Sequence, residues 1–169
     1  YDTWSLASAS PERFLHCDHG TLESRPIKGT RPRGATPALD EKIAADLLAS
    51  GKDRAENTMI VDLLRNDMAK SCRDGSIEVP QLCALEKFSN VHHLVSTIRG
   101  TLRADSSPLE ALRDCFPGGS ITGAPKIQAM GVIAELEPHA RGPYCGAMGY
   151  IGFDGQMDTN ILIRTAVIK

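Results

Sequence analysis

One helical segment constrains this chain more than any other, because its polar and apolar residues share a face. Between Asp53 and Lys70, Ile60 and Leu64 fall on a single stripe at helical spacing, and Met59 and Leu63 widen it. At about 100° per residue, Asp53, Glu56, Asn57 and Asp67 land on that same stripe. A carboxylate on a buried face is costly unless a cation answers it. The fold must therefore bring cations to this helix. For Asp53 and Glu56, one turn apart, two readings stay open. One is pairing with Arg54, Arg65 or another protein cation. The other is a hard divalent ion such as Mg²⁺, which takes one or two protein carboxylates and shares its other positions with water and an anionic ligand.

The elements around this helix are a mixture of strands and helices. Trp4 to Ala7 reads as strand, and Ser8 to Leu22 as a strand pair with turns at Ser10-Pro11 and Asp18 to Gly20. Pro26 and Gly29 make the segment around Lys28 read as a fixed loop. Thr36 before Pro37, with Leu39, Ile43 and Leu47 every four residues, predicts a packing helix closed by Gly51. Arg73-Asp74-Gly75 reads as a turn, Ile77 and Val79 as a short strand, and Leu94 to Ile98 as another. Ser107-Pro108-Leu109-Glu110 is a capping box that predicts a helix to about Phe116, stopped by Pro117-Gly118-Gly119. Gly118 to Lys126 is a small-residue loop feeding a helix with apolar positions Ile127, Met130, Ile133 and Leu136. Cys145 to Phe153 and Met157 to Ile168 are strand-like runs joined through Asp154-Gly155. Both are apolar on both faces, which implies a sheet covered on both sides.

The 169 residues fit one domain or a slice of a larger one. Because strand patterns run into both ends, a fragment is expected. Nineteen Lys+Arg against twenty-one Asp+Glu, a net charge of -2, lack the basic excess that nucleic acid requires. Apolar runs fall far short of the roughly 18 residues that span a bilayer, and Tyr1 to Ser10 do not form a leader. Five cysteines, an odd number with no C-x-x-C pair, point away from a disulfide framework or zinc site and toward a reducing, cytoplasmic setting.

Three further features suggest chemistry. A lysine in a loop is commonly just solvated, yet a rigid loop such as that of Lys28 is also where a nucleophilic amine is held. The Gly118 to Lys126 loop opens a helix, whose free N–H groups suit an anion, but it matches neither a P-loop nor a dinucleotide fingerprint. Arg164 shares an expected strand face with Leu162 and Ala166, and a buried guanidinium needs a carboxylate, internal or from a ligand.

Six segments, in this order, resemble the chorismate-utilising enzymes. They are Ser10-Pro11-Glu12-Arg13-Phe14, Arg25 to Thr30, Lys52 to Asn57, Val91 to Ser96, Phe116 to Lys126, and Met157 to Thr165. The resemblance implies an α+β fold of two facing, mainly antiparallel sheets surrounded by helices. The catalytic domain over residues 1–169 would supply part of that fold, with N- and C-terminal parts, including further metal-binding carboxylates, absent. Within the family, lysine at position 28, where the anthranilate synthases carry alanine, implies the branch that aminates chorismate at C4. That branch makes 4-amino-4-deoxychorismate for para-aminobenzoate and folate biosynthesis. Its ammonia comes from glutamine through an amidotransferase subunit or fused domain.

By the same resemblance Lys28 is a covalent nucleophile, Glu12 the general acid/base, and His93 lies beside the reacting edge of the ring. Ser120, Thr122, Gly123 and Ala124 match the loop along the substrate. Tyr144 and Arg164 match the pair that holds the enolpyruvyl carboxylate. Glu56 corresponds to a Mg²⁺ ligand, with Asp53 behind it. The competing readings are an anthranilate or isochorismate-type synthase, a non-catalytic chorismate-binding remnant, and a purely structural interaction domain.

Overall fold

The computed structural model describes residues 3–168, so Tyr1, Asp2 and Lys169 of the expected domain lie outside the described residues. In chain order the elements are β1 (Ser5–Ser8), β2 (Arg13–Asp18), β3 (Thr21–Ser24), β4 (Ile27–Pro32), α1 (Pro37–Ala49), α2 (Gly51–Ala69), β5 (Glu78–Lys87), β6 (Val91–Thr101), α3 (Pro108–Cys115), α4 (Gly119–Thr122), α5 (Lys126–Leu136), β7 (Ala147–Ile151), β8 (Met157–Ile161) and β9 (Thr165–Ile168). Seven strands form one sheet along the path β4-β6-β3-β2-β8-β7, with β5 added on β6, and β1 and β9 form a second, two-stranded sheet. All pairings are antiparallel. This is an α+β architecture built on two sheets. Among the described residues no helix is long and apolar enough to cross a membrane.

Local signals account for many boundaries. His19 and Gly20, with φ of 47° and 78°, form the two-residue turn of the β2–β3 hairpin, where a left-handed backbone matches the strand twist. Thr36 caps α1 through the Leu39 N–H, and Ser107 and Glu110 form the reciprocal capping box of α3. Four sequence expectations need correction. The first helix is closed by Ser50 rather than Gly51: the Ser50 N–H bonds Leu47 O, while its hydroxyl accepts from the Asp53 N–H and so starts α2. The segment around Lys28 is strand β4, not a loop. Its ladder with β6 breaks register between Ile27 and Thr30, with Gly29 at φ 87°. The short strand at Ile77 to Val79 is the ten-residue β5, in which Pro80 is tolerated because β5 pairs only with β6. The run from Met157 to Ile168 is cut in two at Arg164, whose φ is 49°.

The core lies between the large sheet and the helices. Phe14, Leu15, Leu22, Ile98, Met157 and Ile161 of the sheet pack against Ile60, Val61, Leu64 and Met68 of α2 and Ala111 and Cys115 of α3. Ile60 and Leu64 are buried as the spacing predicts, whereas Met59 is exposed and Val61 and Met68 take the inward positions. The covering expected over the terminal strands is not found among the described residues: Met148, Tyr150 and Ile151 of β7 and Val167 and Ile168 of β9 are exposed. The apolar positions of α5 also face outward, Ile127 at 79% and Leu136 at 72% exposure.

Polar groups on α2 and α1 set how the helices meet the sheet. Asn57, wholly buried, donates to Leu94 O at 3.3 Å and accepts from the Ser96 hydroxyl, which itself accepts from the Cys83 N–H at 2.9 Å. Asp40 of α1 receives both Arg33 N–H groups and the Gly34 N–H at 2.8 Å and meets His92 Nε2 at 2.7 Å. The Arg33 hydrogen bonds, with help from Gly34, hold its carboxyl well below the usual carboxylate range. Asn57→Leu leaves Ser96 and the Leu94 carbonyl without this partner in a dry site. The expected loss is about 1–3 kcal/mol, read as a lower urea midpoint at unchanged slope. An unaltered midpoint would show that packing alone seats α2 on β6.

Candidate active site

Glu12 precedes β2 and Lys28 sits on β4, far apart in sequence, yet both meet Ser120 of α4. Lys28 Nζ donates to the Ser120 carbonyl at 3.3 Å, and the Ser120 side chain stands near enough to the Glu12 carboxyl to work against its raised pKa. The register break in β4 lets Lys28 point where a regular pleat would not. Gly29 is needed there twice over. Its φ is 87°, and a Cβ at that position would come within 3.0 Å of Asp53 Cβ and of Leu47 Cδ1. α4 can approach because Gly119 has no side chain: a Cβ there would lie 2.3 Å from Leu63 Cδ2 of α2.

Burial raises the Glu12 pKa above the carboxylate norm, opposed by the Ser120 hydrogen bond and the Lys28 charge. A carboxyl shifted upward in this way holds and releases a proton more readily near neutral pH than an exposed one. His93 lies on β6 and alternates with His92, so it faces away from Asp40. Its Nδ1 shares a hydrogen bond of 2.8 Å with Thr30 Oγ1, and the Phe88 ring meets it edge-on with centroids 5.4 Å apart. Burial first, and the Arg164 charge second, depress its pKa, against a Gly29 backbone hydrogen bond and Glu86 that raise it. The imidazole is therefore neutral at neutral pH.

Arg164 does not stand on a strand face with Leu162 and Ala166 as the pattern suggests. It occupies the left-handed break between β8 and β9, where its carbonyl accepts from the Ala9 N–H at 3.1 Å. Among the described residues no carboxylate pairs with it. In the loop region, the Thr122 hydroxyl bonds back to Gly118 O at 3.0 Å, Gly123 has φ 118°, and Ala124 is exposed. Tyr144 lines, with Thr122, Phe116, Ile133 and Arg141, a cavity of about 270 Å³. Its phenol is pushed up chiefly by a hydrogen bond with Cys145. The structure thus joins Glu12, Lys28 and Ser120 in one cluster, couples His93 to Arg164, and sets Tyr144 beside Thr122 rather than in a hydrogen bond with Arg164.

The two carboxylates of the α2 stripe part company. Asp53 is taken by Arg31 at 2.8 Å, and the hydrogen bond with Ser50, followed by Arg31, lowers its pKa. Arg54 and Arg65 are not its partners. Glu56 is 45% exposed along its side chain, and among the described residues its carboxylate forms an ion pair with Lys52 alone, at 3.9 Å. Its oxygens keep open lone pairs for a cation, so one carboxylate fits a Mg²⁺ ion that fills its other positions with water and ligand oxygens. Among the described residues no group of three acidic, histidine or cysteine side chains converges as a metal site. Thr30 and Arg31, which orient His93 and Asp53, escape the sequence reading. Alternation along Ile27 to Pro32 was the signal for them, hidden by Pro26 and Gly29.

Comparison with known proteins sets this geometry in context. The family described as chorismate binding enzyme matches residues 1–169. Aminodeoxychorismate synthase component 1 of Escherichia coli (strain K12) is 53% identical over 161 residues, 95% of this chain, which spans only 36% of that relative's length. Anthranilate synthase component 1 of Geobacillus stearothermophilus is 49% identical over 168 residues, 99% of this chain and 33% of that relative. The crystal structure of anthranilate synthase component I from Streptococcus pneumoniae TIGR4 superposes with a TM-score of 0.90 at 37% identity, covering 100% of this chain and 37% of that one. With a family match over the whole length and the fold shared over all of it, the chain belongs to the chorismate binding enzymes.

Proposed function

We propose that the protein containing this chain aminates chorismate to 4-amino-4-deoxychorismate, with Lys28 as a covalent nucleophile. The observation that carries the reading is the convergence of the Lys28 ammonium and the Glu12 carboxyl on Ser120 in a partly dry site. Most lysine ammonium groups, with a reference pKa of about 10.4, are protonated at neutral pH. Glu12 takes the proton from Lys28, and the free amine attacks C2 of chorismate. The ring double bond shifts, the C4–O bond breaks, and Glu12 returns the proton so that water leaves. Ammonia then bonds to C4, the double bond shifts back, and the C2–N bond breaks to release Lys28 as a neutral amine.

The remaining residues bind and orient. Ser120, Thr122, Gly123 and Ala124 lie along the substrate, neutral His93 stands at the reacting edge of the ring, and Arg164 and Tyr144 receive the enolpyruvyl carboxylate. Glu56 is the carboxylate that would hold Mg²⁺, and the ion supplies, when bound, a fixed positive charge for the ring carboxylate. Ammonia is drawn from a glutamine amidotransferase, separate or fused. The cytoplasmic placement rests on cysteine usage, all five being buried and unpaired. The rival reading is anthranilate synthesis, favoured by the high similarity to synthases of that name. Lys28 separates the two, since only the C4 amination uses an amine nucleophile from the protein.

Intact-mass analysis of the whole enzyme with chorismate and Mg²⁺, ammonium withheld, tests the covalent step. An adduct equal to chorismate minus water is expected on Lys28 by peptide mapping, and it disappears when ammonium is added. No adduct, together with undiminished 4-amino-4-deoxychorismate formation by Lys28→Ala, overturns the covalent mechanism. Anthranilate as the product overturns the assignment of the reaction.

Two binding predictions follow from the charged groups. In Glu56→Gln, which keeps shape and removes charge, chorismate binding measured by titration calorimetry is expected to lose its Mg²⁺ dependence. Equal dependence in variant and parent would remove Glu56 from the metal. Arg164→Lys gives up a bidentate, charge-assisted contact and is expected to weaken chorismate binding about ten-fold or more, with little change in melting temperature. A variant that melts early but binds normally would assign Arg164 to an internal ion pair.

A further inference from the structure

Lys126 opens α5 at the exit of the 116–125 segment, and its ammonium reaches back to the entrance. It donates to the carbonyl of Cys115, the last residue of α3, at 2.7 Å, and to the Asp67 carboxylate on α2. One side chain thereby ties together both ends of the segment and fastens them to α2. The Lys126 side chain is 9% exposed and that of Asp67 2%. The other Asp67 oxygen accepts from Lys70 at 3.0 Å, and Lys70 also reaches the Asp114 carbonyl at 3.2 Å. Every charge in the cluster is answered.

A satisfied buried ion pair of this kind contributes little net stability, because desolvation cancels much of the attraction. Apolar seating already exists nearby, with Gly119 closed on Leu63 and Gly118 close to Ile161. What the ion pair adds is geometry. Between its two anchor points lies Ser120, whose carbonyl receives Lys28 and whose hydroxyl meets Glu12. We infer that Asp67 and Lys126 are positioning residues: their ion pair clasps the 116–125 segment onto α2 and sets Ser120 at the height where it aligns Lys28 with Glu12. Neither of the two touches these groups directly. The inference rests on the proposed reading of Lys28 and Glu12 as the reacting pair.

The test compares the intact protein with the double variant Asp67→Leu/Lys126→Met, which removes both charges at once and leaves no buried ion unpaired. Two readouts are taken, one without substrate. Amide hydrogen exchange of residues 119–123 in the unliganded protein is expected to speed up about ten-fold or more as the segment loosens, while the helix α2 amides keep their protection. With chorismate, Mg²⁺ and ammonium, kcat is expected to fall about ten-fold or more with the chorismate KM changed less than about three-fold, since alignment rather than binding is lost. Should the double variant melt near the assay temperature, Asp67→Asn/Lys126→Gln, which also removes both charges and can keep a hydrogen bond between the two positions, gives the same comparison. Unchanged exchange, or faster exchange with an unchanged kcat, overturns the inference, as does a loss confined to KM. Absence of turnover in the unsubstituted protein overturns the functional reading alone, and the exchange comparison still decides whether the clasp exists.

Discussion

The buried polar face of α2 governs how everything else is arranged. A helix that had only Ile60, Val61, Leu64 and Met68 to bury could rotate or slide against the sheet at modest cost, because dispersion and hydrophobic burial are non-directional. Asn57 and Asp67 remove that freedom. Each must find its partners at hydrogen-bond distance or leave a desolvated group unsatisfied. Asn57 finds them on β6, and Asp67 finds Lys126 at the start of α5. Near the first turn Asp53 finds Arg31 on β4. Three polar contacts at three heights along one helix therefore index the sheet, the N-terminal strand β4 and the segment bearing α4 against a common axis.

That indexing explains how residues remote in sequence converge. Lys28 needs β4 to break register and needs α2 close enough that only glycine fits at position 29. Ser120 needs α4 pressed onto α2, which Gly119 permits. Glu12 is the residue just before β2, the strand that β8 and β3 hold in place, and its carbonyl accepts from the Ile161 N–H at 3.1 Å. The same closeness that fits these pieces together excludes water, and dryness tunes the two titratable groups in useful directions. Glu12 keeps its proton to higher pH, and His93 stays neutral beside Arg164. Packing and acid–base chemistry thus share one cause.

What could be read from the sequence was whatever local chemistry decides. The caps at Thr36 and Ser107, the turn at His19-Gly20 and the inward stripe of Ile60 and Leu64 all depend on residues a few positions apart, and they stand as predicted. Errors arose where a distant partner overrides local preference. Lys28-Gly29 has the composition of a loop, yet pairing with β6 makes it a strand with a register break. Pro80 and the left-handed Cys83 disguise β5, whose one strand partner among the described residues is β6. Arg164 falls where β8 leaves the large sheet for the smaller one, a change of partner that hydrophobic alternation cannot register. At the site, Lys28 and Glu56 stood out in the sequence by their own residue types, and Glu12 only through the family resemblance. Their mutual arrangement, with Ser120 as the meeting point and Asp53 diverted to Arg31, is a product of the long-range pairings.

The division between frame and chemistry follows from the energies involved. The frame is held by many cooperative terms: the core, the indexed polar contacts and the sheet ladders. Each is worth on the order of 1 kcal/mol or a few, so substitutions scattered over the chain can leave the fold intact. On the proposed reading, the reaction outcome depends on something no sum of weak terms replaces, namely whether an amine stands at position 28 to form a bond with carbon. Relatives named for different products, aminodeoxychorismate and anthranilate synthases, are similar to this chain at 53% and 49% identity. On the proposed reading, the register break at Ile27 to Thr30 is where the fold offers a single side chain to the ring. A lysine held there by Ser120 makes the frame a covalent catalyst, whereas a shorter side chain at the same place leaves the ring to react with ammonia alone.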